Sequence, residues 1–147
     1  MGTRVYDSNE VAVVFGPNII DAGRADGEFV KITREAAAFS SKVGCDGDVT
    51  RSRMNDNRAK VEITIMQTSP SNDIFSAQHI LDKLTPNGDG IMPLFIKDNN
   101  GRSLFTAEHA WIENDPETAF DREAGTRVWV LECARLRSFI GGSGEVA

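Results

Sequence analysis

The side chains of this chain best able to act as metal ligands, nucleophiles or bases are two histidines and two cysteines, His79, His109, Cys45 and Cys133. Zinc sites often place such groups at short, fixed spacings, for example in His-Glu-x-x-His or Cys-x-x-Cys sequences. Neither spacing occurs here, and no third ligand accompanies the cysteines. We therefore predict no metal site, no cofactor and no catalytic residue, and we expect two reduced thiols.

The acidic and glycine-rich turns also lack the context that chemistry requires. Residues 98–101 and 46–48 have acids near glycine, but they lack the alternating acids and the closing glutamate of a calcium loop. No glycine-rich segment has the spacing of a phosphate-binding loop followed by Lys and Ser or Thr. Because nothing places a nucleophile, a base and oxyanion donors together, we predict that the protein is not an enzyme.

The length and the net charge limit the classes of protein that remain possible. The 147 residues fit a single domain, 1–147, with a core of its own. The net charge of −6 argues against a dedicated nucleic-acid binder, whose surface is usually basic. A membrane-spanning helix needs about 18 consecutive apolar residues, and no apolar run of this chain is nearly that long. No signal segment is visible at the N-terminus. We expect a protein that matures inside a cell without membrane insertion, with an N-terminal arm (1–8) and a flexible C-terminal tail (141–147).

The apolar pattern predicts a mainly β fold with one helix. Residues 60–66 alternate β-branched apolar side chains with others, which is typical of a half-buried strand, and similar short runs occur along the chain. After a Ser-Pro start, residues 70–84 change to helical spacing. We predict a β-sandwich or barrel with one α-helix, about 70–84, packed against it. The helix face predicted to be buried carries Ile74, Ala77, Ile80, Leu81 and Leu84.

The chain is organised around residues 39–66. The strand-like runs 39–43 and 60–66 are interpreted as partner strands, separated by about fifteen residues where a hairpin turn would use two to five. This polar excursion cannot bury itself without unpaired polar groups, so we predict a long projecting β-hairpin arm that contacts a neighbouring subunit. The candidate contact residues of the arm are Gly44, Asp46, Gly47, Asp48, Arg51, Arg53, Asn55, Asn57 and Arg58.

A basic cluster, formed by Arg51, Arg53, Arg58 and Lys60, lies within this stretch. One interpretation is a solvated hairpin with alternating charges. Another is a contact patch for an acidic surface on a neighbouring copy, with the acidic segment 113–123 as one candidate. A nucleic-acid patch ranks third, because no aromatic residues interleave with these bases.

Several segments together carry a resemblance to a known family. They are Lys-Val-Gly-x-Asp-Gly-x-Val-Thr-Arg-Ser at 42–52, Asn-x-Asn-Arg at 55–58 and, most specifically, Gln-Thr-Ser-Pro-Ser-Asn-Asp at 67–73. Pro-Leu-Phe-Ile-Lys-Asp at 93–98, Ala-Trp-Ile at 110–112 and the strand around Trp129 add to them. From about residue 5 to 142, the chain resembles the tail tube proteins of contractile-tailed bacteriophages.

The resemblance implies a fold related to the Hcp-type tube proteins and a structural role in the virion tail, assembled in the cytoplasm of a bacterial host. Six copies would form a ring, and stacked rings would form a tube whose lumen conducts double-stranded DNA during ejection. The implied partners are further copies of the chain, the tail sheath protein, the tape-measure protein, and the baseplate and tail-terminator proteins.

The period of two in residues 60–66 would direct Val61, Ile63 and Ile65 into the core. The candidates for facing the lumen are Ser40, Lys42, Glu62 and Thr64.

Two other functions stay open at this point. A tube subunit of a phage-derived contractile bacteriocin would have the same sequence features but would carry no DNA. A small β-barrel binding module would use the arm to hold a ligand or partner and would not form rings.

Overall fold

The computed structural model describes residues 2–143 and 145–146 as a mainly β fold. A 3₁₀ turn spans Ser8–Glu10, and the helix α1 spans Ser71–Leu84. The strands are β1 (Thr3–Arg4), β2 (Val11–Phe15), β3 (Asn18–Ile19), β4 (Val30–Arg34), β5 (Phe39–Val43), β6 (Val49–Arg53), β7 (Ala59–Met66), β8 (Met92–Asp98), β9 (Leu104–Asn114), β10 (Thr126–Cys133), β11 (Leu136–Phe139) and β12 (Glu145–Val146).

The body is an eight-stranded antiparallel sheet with the order β3-β2-β8-β9-β10-β7-β4, in which β11 also pairs with β9. The central pair β7–β10 runs in register from Met66 opposite Thr126 to Ala59 opposite Cys133. Strand β9 is long enough to pair with β8 along one edge and with both β10 and β11 along the other. The predicted mainly β class, with one helix, is confirmed.

Burial along β7 follows the pleat of the strand. Val61, Ile63 and Ile65 are at most 1% exposed, whereas Glu62 and Thr64 are partly exposed on the other face. The prediction that the three β-branched residues point into the core is therefore confirmed, and it follows from the two-residue period of a strand. The other buried apolar residues of the core are Val13, Phe15, Ile20, Ala59, Phe75, Leu94, Ile96, Ala107, Ala110, Ile112, Trp129, Leu131, Cys133 and Leu136.

Helix α1 covers the core through Phe75. The ring of Phe75 lies 6.2 Å from that of Phe15 on β2 and 5.3 Å from that of Trp129 on β10, measured between centroids. Strands β2 and β10 are separated by two other strands in the sheet order. Because one side chain contacts both, the sheet must curl around the core, as expected for a sandwich or barrel.

The bounds of the helix agree with the prediction, but the predicted buried face is wrong. The buried residues are Ser71, Phe75 and His79, one turn apart, and only Ile74 of the predicted set packs against the core. Ala77, Ile80, Leu81 and Leu84 are exposed. Hydrogen bonds at the start of the helix fix its rotation, and they turn the Ser71–Phe75–His79 line toward the sheet.

The projecting hairpin is confirmed, but its strands are not those predicted. Strand β5 pairs with β6 in a separate two-stranded sheet, from Phe39 opposite Arg53 to Val43 opposite Val49. Strand β7 pairs instead with β4 on one side and β10 on the other. Since both edges of β7 are occupied, it has no edge left for β5.

The two ends of the described chain lie together. Strand β1 pairs with β12, with Thr3 opposite Val146 and Arg4 opposite Glu145, and Gly101 forms a bridge with Ser143. The division into a single domain with an N-terminal arm (1–8) and a flexible tail (141–147) stays a prediction. Of that tail, Gly144 and Ala147 lie outside the described residues, as does Met1 in the arm.

Candidate assembly interface

The β5–β6 hairpin projects from the body without a partner surface of its own. Every residue from 39 to 55 is exposed, including Val43 at 70% and Val49 at 68%. An isolated two-stranded hairpin is only marginally stable in water, and exposed aliphatic side chains favour a partner that removes them from water. We call residues 39–55 the arm.

The tip of the arm is a closed turn. The Gly44 N–H donates to the Asp48 carbonyl at 2.8 Å, and the Gly47 N–H donates to the Gly44 carbonyl at 3.0 Å. The carboxylate of Asp46 accepts from the Asp48 N–H at 3.2 Å. Gly47 has a φ of +90°, a conformation that side-chain-bearing residues rarely adopt. The glycines and aspartates predicted as contact residues therefore also shape the tip.

The two faces of the arm differ in chemistry, because cross-strand partners share a face. One face pairs Phe39 with Arg53, Ser41 with Arg51 and Val43 with Val49. The Arg51 guanidinium lies 4.1 Å from the centre of the Phe39 ring, a cation–π distance. We call this the apolar–arginine face. The opposite, polar face pairs Ser40 with Ser52 and Lys42 with Thr50.

The chain that follows the arm returns to the body through several polar contacts. The Arg58 guanidinium lies 2.8 Å from Asp56 and 3.4 Å from Glu35, and its hydrogen bond lowers the pKa of Asp56 to about 2. The Asn57 carbonyl accepts from Arg34 at 3.0 Å. Asn57 and Arg58, both predicted as contact residues, thus contact their own subunit, whereas Arg51 and Arg53 project with the arm.

The predicted basic cluster is divided in the structure. Lys60 lies 3.4 Å from Glu113 and 3.9 Å from Glu35, so its charge and that of Arg58 are balanced within the chain. Within the described residues, Arg51 and Arg53 form no ion pair and instead contact the Phe39 ring. Of this cluster, the cations available to a partner are therefore Arg51 and Arg53 on the arm.

A carboxylate that sequence reasoning missed lies beside this cluster. Glu132 on β10 is opposite Lys60 and is only 9% exposed. Burial, followed by the nearby carboxylates of Glu35 and Glu113, raises its pKa above the ordinary value. Only the β7–β10 register reveals this neighbourhood, because Glu132 and Lys60 are far apart in sequence.

The four residues predicted to face the lumen lie on two different sheets. Glu62 and Thr64 share the outer face of β7, where Glu62 is opposite Lys31 of β4. Ser40 and Lys42 lie on the polar face of the arm. Ser40 and Lys42 have polar cross-strand partners, whereas Glu62 and Thr64 are opposite Val130 and Val128 of β10. The expected pairing between the two strands is absent. Their position in an assembly stays a prediction.

The 67–73 segment, which is the most specific part of the resemblance, holds elements of the body together. The Asn72 amide donates to the carbonyls of Met66, Gln67 and Ser69 at 3.1, 3.2 and 3.1 Å. Its oxygen accepts from the Trp129 indole N–H at 3.0 Å. Asn72 therefore joins the end of β7, the start of α1 and the middle of β10.

Neighbouring side chains extend this network. The Ser69 hydroxyl donates to the Ala22 carbonyl and accepts from the Ser71 N–H at 3.1 Å, while the Gln67 oxygen accepts from the Gly125 N–H at 3.1 Å. These bonds fix the start of the helix, which has no side-chain cap from its N-cap residue Pro70. The segment has a structural role, of which the sequence indicated the helix start through its Ser-Pro pair but not the contacts of Asn72.

The histidines and cysteines lie apart. Cys45 is exposed on the arm, and Cys133 is buried on β10, where burial raises the pKa of its thiol to about 11. His79 is buried, with Nε2 3.6 Å from a carboxylate oxygen of Asp115. Among the residues that the structure describes, no three His, Cys, Asp or Glu side chains are grouped to hold a metal ion. In the same part of the chain, no helix has the length and apolar character to cross a bilayer.

Comparison with known proteins gives consistent matches. A family profile described as bacteriophage PhiTE tail tube protein matches residues 12–141. Structural protein ORF10 of Pseudomonas phage KPP10 is 30% identical over 150 aligned positions, which cover 99% of this chain and 87% of that protein.

Solved structures with very low sequence identity share the fold. The sheath/tube terminator of PVC, an extracellular contractile injection system, superposes with a TM-score of 0.61 at 9% identity, covering 94% of this chain and 99% of that one. The tube-terminating cap of the anti-feeding prophage gives 0.58 at 9% identity, covering 93% and 92%. A chain of the PVC sheath–tube complex gives 0.57 at 11% identity, covering 92% and 91%. On the family match over most of its length, supported by this shared fold, the chain belongs to the family of phage tail tube proteins represented by that of PhiTE.

Proposed function

We propose that this chain is the tube subunit of a contractile phage tail, that six copies close into a ring, and that stacked rings form the conduit for double-stranded DNA. In this role the protein acts by assembly and not by catalysis. It assembles in the cytoplasm of the bacterial host and becomes part of the virion tail.

The observation that carries the proposal is the unpartnered arm. Its apolar–arginine face exposes Phe39, Val43 and Val49 beside two arginines, and no described residue of its own subunit covers that face. Burying apolar surface contributes roughly 25 cal/mol per Å², so a neighbour that covers these side chains stabilises the assembly. Because the arm and its receptor are different surfaces, the contact is head-to-tail and suits rings and stacks.

The polar surfaces suit a conduit. With the apolar–arginine face against a neighbour, the polar face with Ser40 and Lys42 is left for the lumen. Glu62 and Thr64 offer a similar surface on β7. A chain of net charge −6 forms a wall that does not hold phosphates strongly, as rapid passage of DNA requires.

The proposed partners follow from this role. They are the sheath around the tube, a tape-measure protein within it during assembly, and the baseplate and tail terminator at its ends. The fold is shared with chains from a sheath–tube complex, a sheath/tube terminator and a tube-terminating cap, which supports partners of this kind.

A bacteriocin tube without DNA would assemble from the same surfaces, and DNA in purified particles separates it from a phage tail. The family profile and the relative from phage KPP10 favour the phage tail. A monomeric binding module would leave the arm exposed in solution.

Removing the arm tests the proposal. Ser40 and Ser52 are register partners, so replacing residues 40–52 with a two-residue turn closes the hairpin without disturbing β4 or β7. The shortened protein should keep its circular dichroism spectrum and melting temperature but fail to form tubes in the electron microscope. Replacing the exposed helix-end residue Leu84 with Ser is the matched control and should leave tubes intact. Normal tubes from the shortened protein would refute the role of the arm.

A further inference from the structure

The curled sheet leaves an apolar cleft on one side. Its volume is about 480 Å³, and it lies between the edge strand β4 and the strands β2, β8 and β9. The aliphatic and aromatic lining is contributed by Tyr6, Val11, Phe29, Val30, Ile32, Ile96 and Phe105. Val11, Val30, Ile32 and Phe105 pack against the core yet stay partly exposed, so the described residues leave this cleft open.

The rim of the cleft is acidic. Glu28 lines it directly, and Asp26 lines the adjoining depression next to Gly27 and Phe29. The basic residue of this region, Arg24, is already engaged, because it donates to the carbonyls of Ser8 and Val11 and lies 4.8 Å from the centre of the Phe29 ring. Neither Glu28 nor Asp26 forms an ion pair within the described residues, so both carboxylates are available to a partner.

The backbone beside the cleft is also available. Among the described strands, β4 pairs only with β7, so its outer N–H and C=O groups face away from the sheet. Open edges of this kind pair readily with strands of another chain. The cleft thus combines an apolar floor, an acidic rim and an open strand edge.

We infer that this cleft receives the arm of another subunit, with Val43 and Val49 entering the apolar lining and Arg51 lying beside Glu28. The inference rests on the proposed tube function and specifies the surface that the arm contacts. Every copy of the chain carries both an arm and a cleft. Each subunit can therefore place its arm on a second copy and receive the arm of a third, so the contact repeats along the assembly.

The apolar and charged groups of the arm complement those of the cleft, and they follow one another in the same order on both surfaces. Val43 and Val49 are cross-strand partners next to the tip, and Arg51 lies two residues farther on the same face, about 7 Å away along the strand. The cleft has its apolar lining inside and Glu28 at the rim. The opposite face of the arm has no apolar pair to fill the cleft, and the arm does not reach its own cleft because residues 39–55 are all exposed.

The acidic segment 113–123 is the rival receptor on a neighbouring copy. It is rich in carboxylates and exposes Phe120 at 79%. Glu113 at its start is already paired with Lys60. The rival would meet the arginines, but its two cavities, of about 370 Å³ each, are lined mainly by polar and charged residues and offer no comparable aliphatic set for the two valines.

Disulfide cross-linking within assembled tubes separates the receptors. In a Cys45→Ser background, Val49→Cys is combined with Glu28→Cys for the cleft or with Phe120→Cys for the rival segment. All these positions are exposed, so the fold is preserved. The matched control combines Thr50→Cys, which lies on the opposite face of the arm, with Glu28→Cys. After mild oxidation and denaturing electrophoresis, the Val49–Glu28 pair should give covalent oligomers from tubes and none from dispersed subunits.

Each outcome has a distinct meaning. Tubes in which the Thr50 control or the Phe120 pair links as efficiently as the Val49–Glu28 pair would overturn the cleft assignment and leave the tube function standing. Tubes with no cross-link at Val49–Glu28 would do the same. If the Cys45→Ser protein forms no rings or tubes at all, the proposed function fails and the inference fails with it.

Exchanging the two charges tests the Arg51–Glu28 contact independently of cross-linking. Arg51→Glu and Glu28→Arg should each reduce the fraction of protein in tubes at least about fivefold at low salt, where opposed like charges are least screened. Combining both changes restores opposite charges and should recover most of the tubes. Loss without recovery in the double variant would contradict the contact.

Discussion

Substitutions at two neighbouring positions of β7 should have different effects, one on folding and the other on function. Ile63 is 1% exposed in the core, whereas its neighbour Thr64 is partly exposed on the outer face. Ile63→Asp places a carboxylate among apolar side chains, and we expect it to cost several kcal/mol and to prevent folding. Thr64→Lys adds a charge where water can reach it, so folding and tube assembly should survive. Soluble yield and electron microscopy of both variants measure this difference.

Thr64→Lys also tests whether Thr64 faces the lumen. If Thr64 faces the channel, Thr64→Lys adds a positive ring to every subunit layer, and DNA ejection should slow, more so at low salt. Glu62→Gln, also on the outer face, removes a negative charge without adding a positive one and should have a smaller effect. A Thr64→Lys protein that cannot fold, beside a folded Ile63→Asp protein, would show that the two faces are assigned the wrong way round.

Glu132 gives the protein a pH dependence of defined sign. Its pKa is raised in the folded state by burial, so its contribution favours folding at low pH and is lost as the pH rises through the folded-state pKa. Above that pKa the ionised form opposes folding. Glu132→Gln should therefore raise the melting temperature at pH about 8 and give no gain at pH about 3. A melting curve that shows the gain only at low pH would reverse this assignment.

At the scale of elements, Asn72 joins β7, α1 and β10. Its side chain makes three hydrogen bonds as donor and one as acceptor from Trp129. Asn72→Ala leaves the Trp129 indole N–H and the Gln67 carbonyl without these partners, and we expect the free energy of unfolding to fall by about 2–4 kcal/mol. Asn99→Ala, at an exposed turn position, is the control and should change it by less than about 0.5 kcal/mol. Chemical denaturation measures both, and equal losses would refute the central role of Asn72.

These elements also show what the sequence could predict. The existence of β7 and the bounds of α1 were predictable, because periodicity and turn residues are local properties. The partner of β5 was not, because pairing depends on which strand edges are free, and both edges of β7 are taken by β4 and β10. The helix face was wrong for a related reason, since the Asn72 and Ser69 contacts set its rotation.

The candidate interface was predictable only in part. An unusually long polar excursion indicated a projecting arm, and the structure confirms the projection. The chemical difference between its faces required the β5–β6 register, which brings Val43 opposite Val49 and Ser41 opposite Arg51. The cleft was invisible in sequence, because its lining comes from β2, β4, β8 and β9, which meet only in the folded sheet.

At the scale of the whole molecule, one sandwich core supports two surfaces that it cannot cover itself. The arm exposes a valine pair and arginines, and the cleft exposes an apolar lining with a carboxylate rim. Because these surfaces are different and complementary, the contact that we propose between copies is head-to-tail, and contacts of that type close into rings or extend into filaments. Assembly is therefore the property that the fold and the family both indicate.

Electron microscopy of the purified protein, with size-exclusion chromatography across a range of concentrations, tests this central claim most directly. The account predicts six-fold rings with a central channel that stack into tubes as concentration rises, with the arm of each subunit seated on a neighbour. A protein that stays monomeric at every concentration, and that is absent from tail particles purified from its source, would contradict it.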